Sequence, residues 1–304
     1  MSNSIPYALS TSWNYRNSQD AQAITDEIKA LGFDWVELNF ALTGSQVNDF
    51  LALKEAGYIN ISSTHNYCPL PDGVEPKNAS PEYYSLTSPD ESERSLAVKF
   101  TKKSMNFAKR LQARALVMHL GRVDIEDRTK KLFTIKDKSE FAREKERALS
   151  ERDRAVGPFM QSAIKSLTEL LEHARKIDLP IALENRYYIK EMPSLGEFKK
   201  IFEIFKEKHL AYWHDTGHAQ VYENLGVLRH EDYLDALSNR LIGVHLHDII
   251  LFNDHLAPGA GEFDFKRIKP YLKPDTVKVI EAHRVASAEE VRKSKDYLER
   301  ILGP

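Results

Sequence analysis

The chain has 304 residues, of which 42% are hydrophobic and 29% are charged, a balance typical of an ordinary globular protein. The formal net charge of −2 gives no electrostatic reason to expect a nucleic acid or an anionic membrane as partner, and no apolar run approaches the ~20 residues that span a bilayer. Cys68 is the only cysteine, which excludes an internal disulfide bond, and the N-terminus does not resemble a secretory signal, so we expect a cytoplasmic protein.

Short runs of β-branched and aromatic residues recur along the chain and predict eight strands. In chain order these runs cover 7–11, 35–40, 60–64, 115–120, 180–185, 210–215, 241–248 and 277–283. Amphipathic helical patterns lie between them, such as 162–180, which ends at a proline, and 287–302, which begins with a serine cap. Alternating strands and helices favour an α/β fold, a closed (β/α)8 TIM barrel formed as one domain by residues 1–304. An open doubly wound sheet usually carries a glycine-rich turn after its first strand, and this sequence does not.

Two of the predicted connections are too long for an ordinary strand-to-helix loop. They follow the third and fourth strands and cover 66–90 and 121–156. Basic and acidic residues nearly balance in the second one, which favours a solvated helical insertion over a nucleic-acid clamp. Both would lie over the carboxyl ends of the barrel strands, where long loops commonly act as lids or contact the substrate.

Acidic residues and histidines stand at the ends of six consecutive predicted strands. In a TIM barrel these ends form a ring on one face, within reach of one another. Several carboxylates in one cleft are costly unless a cation compensates them, and carboxylates mixed with imidazoles are the ligands of a divalent first-row metal. A buried salt-bridge network is the alternative, but it requires basic residues, and only Arg186 and Arg284 are close. The ring consists of His65, His119, Glu184, Asp215, His218, His245, His247, Asp248, Glu281 and His283.

Five short motifs at these strand ends resemble those of one known family. They are "LEN" with Glu184, "DTGHA" with Asp215 and His218, "VHLHD" with His245, "HLAPGAGEFDF" from His255, and "VIEAH" with Glu281. In this order they are similar to the xylose isomerase-like TIM-barrel superfamily, and the resemblance covers the whole barrel. That superfamily includes sugar isomerases and epimerases, inosose-type dehydratases, and AP endonuclease family 2, the apurinic endonucleases of the endonuclease IV type.

The resemblance implies a divalent metal ion, with Zn, Mn, Co and Mg all compatible with mixed nitrogen and oxygen ligands. Its ligands would be Glu184, Asp215, His245 and Glu281. In the endonuclease branch, further metal ions are bound at positions that match His65 and His119, and at positions that match His218 and His255.

One ligand of the endonuclease branch is changed in this sequence. An aspartate two residues before the second histidine of its pair falls here on Asn253, which is a poorer, neutral ligand. We expect the adjacent Asp254 to point elsewhere, because side chains alternate in an extended segment. We therefore expect the third metal set of that branch to be incomplete in this chain.

The leading hypothesis is isomerisation or epimerisation of a small sugar, polyol or keto-acid. The substrate would chelate the metal, which stabilises the enediolate formed when the α-proton is lost. By resemblance to the epimerases, Glu184 and Glu281 are both ligands and proton-transfer groups, one on each face of the substrate. The third predicted catalytic residue is His218, and the predicted substrate-binding residues are Arg186, His65, His119 and His255. We expect a small-molecule substrate and neither nucleic acid nor a membrane as partner.

Three alternatives stay open at this point. A dehydratase would use the same enolate and expel a β-hydroxyl. A multinuclear zinc phosphodiesterase similar to the apurinic endonucleases would gain from His65 and His119, but Asn253 and the negative net charge count against it. A barrel that binds metal without catalysis is the third. The number of metal ions per chain would separate these readings, with one ion favouring the isomerase group.

Overall fold

Eight parallel strands close into a barrel in the computed structural model, which describes residues 6–303. Each strand pairs with the next one along the chain and the last pairs with the first, so the predicted (β/α)8 TIM barrel is confirmed. Every predicted run overlaps one barrel strand. Numbered in chain order, the barrel strands are β1 (Ala8–Ser10), β2 (Trp35–Leu38), β3 (Asn60–His65), β4 (Leu116–Met118), β5 (Ile181–Glu184), β6 (Leu210–Asp215), β7 (Leu241–Leu246) and β8 (Val277–Ile280).

Helices surround the barrel and connect its strands. Within residues 6–303 they are α1 (Ala21–Ala30), α2 (Gly44–Glu55), α3 (Glu91–Arg110), α4 (Thr129–Leu132), α5 (Lys138–Ile177), α6 (Leu195–Ile204), α7 (Thr216–Asn224), α8 (His230–Leu237) and α9 (Ala288–Leu302). Short 3-10 turns lie at Pro76–Asn78, Ser238–Arg240, Phe265–Arg267 and Lys269–Tyr271. None of the described helices is long and apolar enough to cross a membrane.

The two long connections differ in how much regular structure they contain. Residues 66–90 stay irregular apart from the turn at Pro76–Asn78. The segment predicted to run from 121 to 156 is partly helical, because α5 begins at Lys138 and continues for 40 residues. Two small antiparallel ribbons lie outside the barrel sheet. One pairs Gly121–Arg122 with Glu191–Met192, and the other pairs Asp248–Ile250 with Asn253–Leu256.

A tryptophan fills the inside of the barrel next to the strand ends. Trp213 on β6 is fully buried and packs among small apolar side chains of β1, β4, β5 and β8. A Cβ atom on Gly243 of β7 would lie 2.0 Å from the indole, so this glycine makes room for the ring. The ring of His245 meets the indole edge-on, with 5.2 Å between the two centroids. Trp213 therefore forms a solid floor for whatever binds at the carboxyl ends of the strands.

Candidate metal centre and active site

Sheet register brings the four predicted core ligands together. Asp215 ends β6 and is the register partner of His245 on β7. Glu184 ends β5, and Glu281 directly follows β8. One donor atom of each side chain lies within 4.8 Å of the other three, and all four residues are buried. His245 Nδ1 lies 2.7 Å from Glu184 Oε1 and 3.0 Å from Glu281 Oε2. We refer to these four residues as the acid centre.

Negative charge dominates the acid centre, since three carboxylates surround one imidazole. Burial alone would raise the pKa of Glu184, but the imidazole of His245 and hydrogen bonds from three histidines hold this pKa well below its usual range. Glu281 has fewer partners, and burial raises its pKa. Burial would lower the pKa of His245, yet the carboxylates of Glu281, Glu37 and Glu184 raise it well above its usual range. Converging carboxylate and imidazole donors with surplus negative charge fit a divalent first-row cation.

Glu37 on β2 supports the acid centre although it was not among the predicted site residues. It is fully buried, and its two carboxylate oxygens lie 3.0 and 3.1 Å from His245 Nε2. The hydroxyl of Ser63 donates a further hydrogen bond of 2.7 Å to it. Because a carboxylate only accepts, His245 donates through Nε2 and turns Nδ1 toward the acid centre, an arrangement that orients many metal-binding histidines. An acid in the middle of the apolar run 35–40 was the signal that could have revealed it.

Asp215 is fixed by its own neighbours. Its Oδ1 accepts a hydrogen bond of 2.7 Å from the backbone N–H of His218 and so caps α7. His247 Nε2 lies 2.9 Å from both carboxylate oxygens, while His247 Nδ1 accepts from the backbone N–H of His255. Both nitrogens of His247 are therefore used within the protein. A Cβ atom on Gly217 would lie 2.1 Å from the His247 ring, which explains a glycine in the first turn of α7.

Three more predicted residues meet on one side of Glu184. One donor atom from each of His65, His119 and Glu184 lies within 4.8 Å of the other two. Glu184 Oε2 is 3.0 Å from His119 Nε2 and 3.5 Å from His65 Nε2. Arg186 joins them, with Nη1 only 2.6 Å from His119 Nε2 and 3.1 Å from Glu184 Oε2. We refer to His65, His119 and Arg186 as the arginine side of the site.

A second group of side chains, separate from the arginine side, contains His218, Asp254 and His255. His218 Nδ1 donates to the backbone carbonyl of Asn185 at 3.0 Å, and His218 Nε2 is 3.9 Å from Asp254 Oδ2. Asp254 Oδ2 is 3.0 Å from His255 Nδ1. The prediction that Asp254 points away is therefore wrong, and the exposed residue is Asn253. The physical reason is that His255 has a φ of 55°, which breaks the alternation of an extended segment.

The two histidines of this group have opposite charge preferences. Burial lowers the pKa of His218 to about 4, so its ring is neutral near pH 7. Burial acts in the same direction on His255, but the charge of Asp254 and the hydrogen bond to it raise the pKa of His255 to about 9. Near pH 7 the site therefore has an imidazole that accepts and an imidazolium that donates.

A cleft with a volume of about 340 Å³ opens over these residues and reaches both glutamates of the acid centre. The size lies within the range of roughly 300–1,000 Å³ that is common for small-molecule pockets. Phe40, Pro81, Tyr187 and Tyr188 form its less polar walls. The cleft thus combines an apolar surface with converging polar groups, as expected for a site that binds a small polar molecule.

A family model described as "Xylose isomerase-like TIM barrel" matches residues 25–301. The chain belongs to the xylose isomerase-like TIM barrel family. The matched range contains the five motifs and every predicted site residue, so the family resemblance seen in the sequence is confirmed. The sequence matches no curated protein individually.

Solved structures of xylose isomerase-like barrels superpose on nearly the whole chain. A D-tagatose 3-epimerase-like protein is 19% identical with a TM-score of 0.72, and the match covers 98% of this chain and 97% of that one. D-psicose 3-epimerase from Clostridium cellulolyticum H10, solved with D-tagatose, is 14% identical with a TM-score of 0.69 over 99% and 100% of the two chains. The IolI protein, solved with a zinc atom, is 13% identical with a TM-score of 0.66 over 98% of each chain. These identities establish a shared fold.

Proposed function

We propose that this protein is a divalent-metal-dependent isomerase or epimerase of a small sugar, polyol or keto-acid. The observation that carries the proposal is the acid centre, in which two buried glutamates, Glu184 and Glu281, both contact Nδ1 of His245 beside Asp215. The similar fold of the D-tagatose 3-epimerase-like protein and of D-psicose 3-epimerase supports a sugar as substrate. The zinc atom in the IolI structure supports a bound metal ion.

Epimerisation removes a proton from one face of a carbon atom and returns one on the other face, so it needs two proton-transfer groups. A divalent cation held by the acid centre would act as a Lewis acid that polarises the substrate carbonyl and makes the neighbouring proton acidic. Glu184 and Glu281 are the two groups that reach the cleft from separate strands. Glu184 contacts His119 and Arg186, whereas Glu281 has His255 Nε2 at 3.9 Å. Different environments separate the proton affinities of two carboxylates, as acid and base roles require.

The remaining histidines of the cleft would orient the substrate. His218 donates through Nδ1 to a backbone carbonyl, so its Nε2 is left to accept a hydrogen bond from a substrate hydroxyl. His255 is paired with Asp254 and would donate to a substrate oxygen, including one that becomes negative during the reaction. A polyhydroxylated substrate offers both kinds of group on neighbouring carbons.

Exchange of substrate protons with solvent tests the proposal directly. The protein is incubated in D2O with Mn²⁺ or Zn²⁺ and a panel of ketohexoses, ketopentoses and inososes, and NMR follows deuterium uptake beside the carbonyl. We expect exchange with at least one compound, and a fall of about 10²–10⁴-fold in Glu184→Gln and in Glu281→Gln, the usual range for losing general acid–base catalysis. His173→Gln is a matched control, because His173 contacts Asn106 on the outer helices. Absence of exchange with the whole panel, or equal exchange in the glutamate variants, would contradict the proposal.

A phosphodiesterase is the second candidate, and the convergence of His65 and His119 on Glu184 favours it. The orientation of Asp254 adds to this case, since the side chain stands beside His218 and His255. Nicking of a DNA duplex that carries a single abasic site, measured with Zn²⁺ present, would favour the phosphodiesterase over the isomerase. A dehydratase is distinguished by product mass, because the product would be one water lighter than the substrate.

A further inference from the structure

Glu184 lies between two sets of potential metal ligands. One set is the rest of the acid centre, and the other is the pair of His65 and His119. On its other side, His65 and His119 direct their Nε2 atoms at Glu184 Oε2. By donor type and spacing alone, these three residues are a candidate for a second metal position. The decisive question is what lies between them.

The guanidinium of Arg186 lies where a second ion would have to bind. Its Nη1 is 2.6 Å from His119 Nε2 and 3.1 Å from Glu184 Oε2. A zinc ion binds an imidazole nitrogen at about 2.0–2.1 Å along the lone pair. Nη1 already contacts this nitrogen at 2.6 Å. The ion and the guanidinium nitrogen would overlap, so one excludes the other.

Arg186 is also held by two buried glutamates, through a hydrogen bond to Glu191 and a longer ion pair with Glu82. Its Nη2 lies 3.2 Å from Glu191 Oε1, and its Nε lies 3.8 Å from Glu82 Oε1. Glu191 is held in turn, because its Oε2 accepts from the backbone N–H groups of Tyr187 and Tyr188 at 3.1 and 2.8 Å. Arg186 is only 5% exposed, and a guanidinium does not lose its proton in a protein. The positive charge at this position is therefore permanent.

His119 is oriented to match this arginine. Its Nδ1, on the other edge of the ring from Arg186, lies 3.4 Å from Glu82 Oε1. Glu82 also lies 3.3 Å from Arg122 Nη1, so that Glu82 and Glu191 balance the charges of Arg186 and Arg122. Positive and negative charges are thus matched on the arginine side, unlike in the acid centre, where three carboxylates surround one imidazole.

We infer that Arg186 takes the place of a second metal ion between His65, His119 and Glu184, so that Glu184 binds a cation only on the side of the acid centre. This role of Arg186 is additional to the predicted contact with the substrate, because Nη1 is directed at His119 and Glu184. It also explains how donors suited to a multinuclear site coexist with the one-metal chemistry proposed above. The inference rests on the metal centre of the proposed function and not on the identity of the sugar.

Metal counting in variants of the full chain tests this inference. Purified protein is stripped with chelator, saturated with Zn²⁺ or Co²⁺ alone, and analysed for ions per chain. The informative variant is Arg186→Gln/Glu191→Gln, which removes one positive and one negative charge together. We expect it to bind one more ion than wild type, and we expect that additional ion to disappear when His119→Ala is added. Arg94→Gln/Glu91→Gln, which removes another arginine–glutamate pair at the end of α3, should bind as many ions as wild type.

Two results would overturn the inference. The first is an unchanged ion count in a folded Arg186→Gln/Glu191→Gln protein. The second is the loss of an ion when His119→Ala is introduced into wild type, because the position would then already be filled. The second test requires a single substitution, and it remains available if the double variant does not fold. Turnover of sugar is a separate measurement, so failure of the proposed reaction would leave these counts interpretable.

Discussion

Two buried groups of charged residues in this barrel are built in opposite ways. On the outer layer, Arg152 of α5 binds both carboxylate oxygens of Glu197 at 2.6 and 2.8 Å and also the backbone carbonyl of Glu191 at 2.9 Å. One positive charge meets one negative charge in the bidentate geometry that arginine favours. The acid centre instead gathers three carboxylates around His245.

This difference in charge balance distinguishes an ion pair that stabilises the fold from a group of acids that can bind a cation. A buried pair that is neutral as a unit needs nothing from solution and serves to fix the helices it joins. A group with surplus negative charge is stable only with an added cation, whether that is a proton or a metal ion. Burial and ion pairs alone would not tell the two groups apart, but counting the charges does.

The largest expected effect is on the free energy of unfolding, and it concerns the charge-balanced pair of Arg152 and Glu197. Arg152→Gln leaves the carboxylate of Glu197 buried without its partner, which should lower the free energy of unfolding by about 3–5 kcal/mol. Urea denaturation measures the loss, and the number of zinc ions per chain should stay as in wild type. The double variant Arg152→Gln/Glu197→Gln should recover much of the stability, because no charge is then left unpaired. A loss below about 1 kcal/mol in the single variant would mean that the pair is not buried as described.

The second prediction concerns the acid centre and the stability that the protein gains when zinc binds there. Zinc at a hundred times its dissociation constant should raise the free energy of unfolding of wild type by about 2.7 kcal/mol, since only the folded protein presents the four ligands. Glu184→Gln/Glu281→Gln removes two of the three carboxylates, so the same zinc concentration should add almost nothing. Thermal unfolding with and without zinc measures both values. Equal stabilisation of the two proteins would place the metal somewhere else.

The smallest expected effect comes from Glu37, which orients His245 through Nε2. Glu37→Gln keeps the size of the side chain but weakens this contact, and it should raise the dissociation constant for zinc by about 10–100-fold. Competition with a chromophoric chelator gives the constant. Glu55→Gln, at the exposed end of α2, is the matched control. An unchanged constant in Glu37→Gln would show that the ring is held by packing against Trp213 alone.

The barrel and the ring of donors were accessible from sequence for a simple reason. Each strand is a short apolar run that ends in a polar residue, and a parallel barrel collects those ends on one face. Asp215 and His245 illustrate this, because register alone makes them neighbours once the strands are placed. The family motifs added the order in which the donors occur.

Other parts of the site depend on contacts that sequence order does not encode. Glu37 stands inside a strand rather than at its end, so it looked like an ordinary strand residue until Ser63 and His245 were seen beside it. Asp254 was misplaced because alternation fails where His255 adopts a positive φ. Glu191 comes from a two-residue strand that no periodicity would indicate, and its role appears only through Arg186.

The position of the Trp213 indole limits the routes by which a substrate can enter the cleft and a product can leave it. This ring and the small side chains around it fill the barrel axis, so within residues 6–303 the cleft does not continue through the barrel. Whatever enters must leave by the same route, and nothing can be passed on through the barrel.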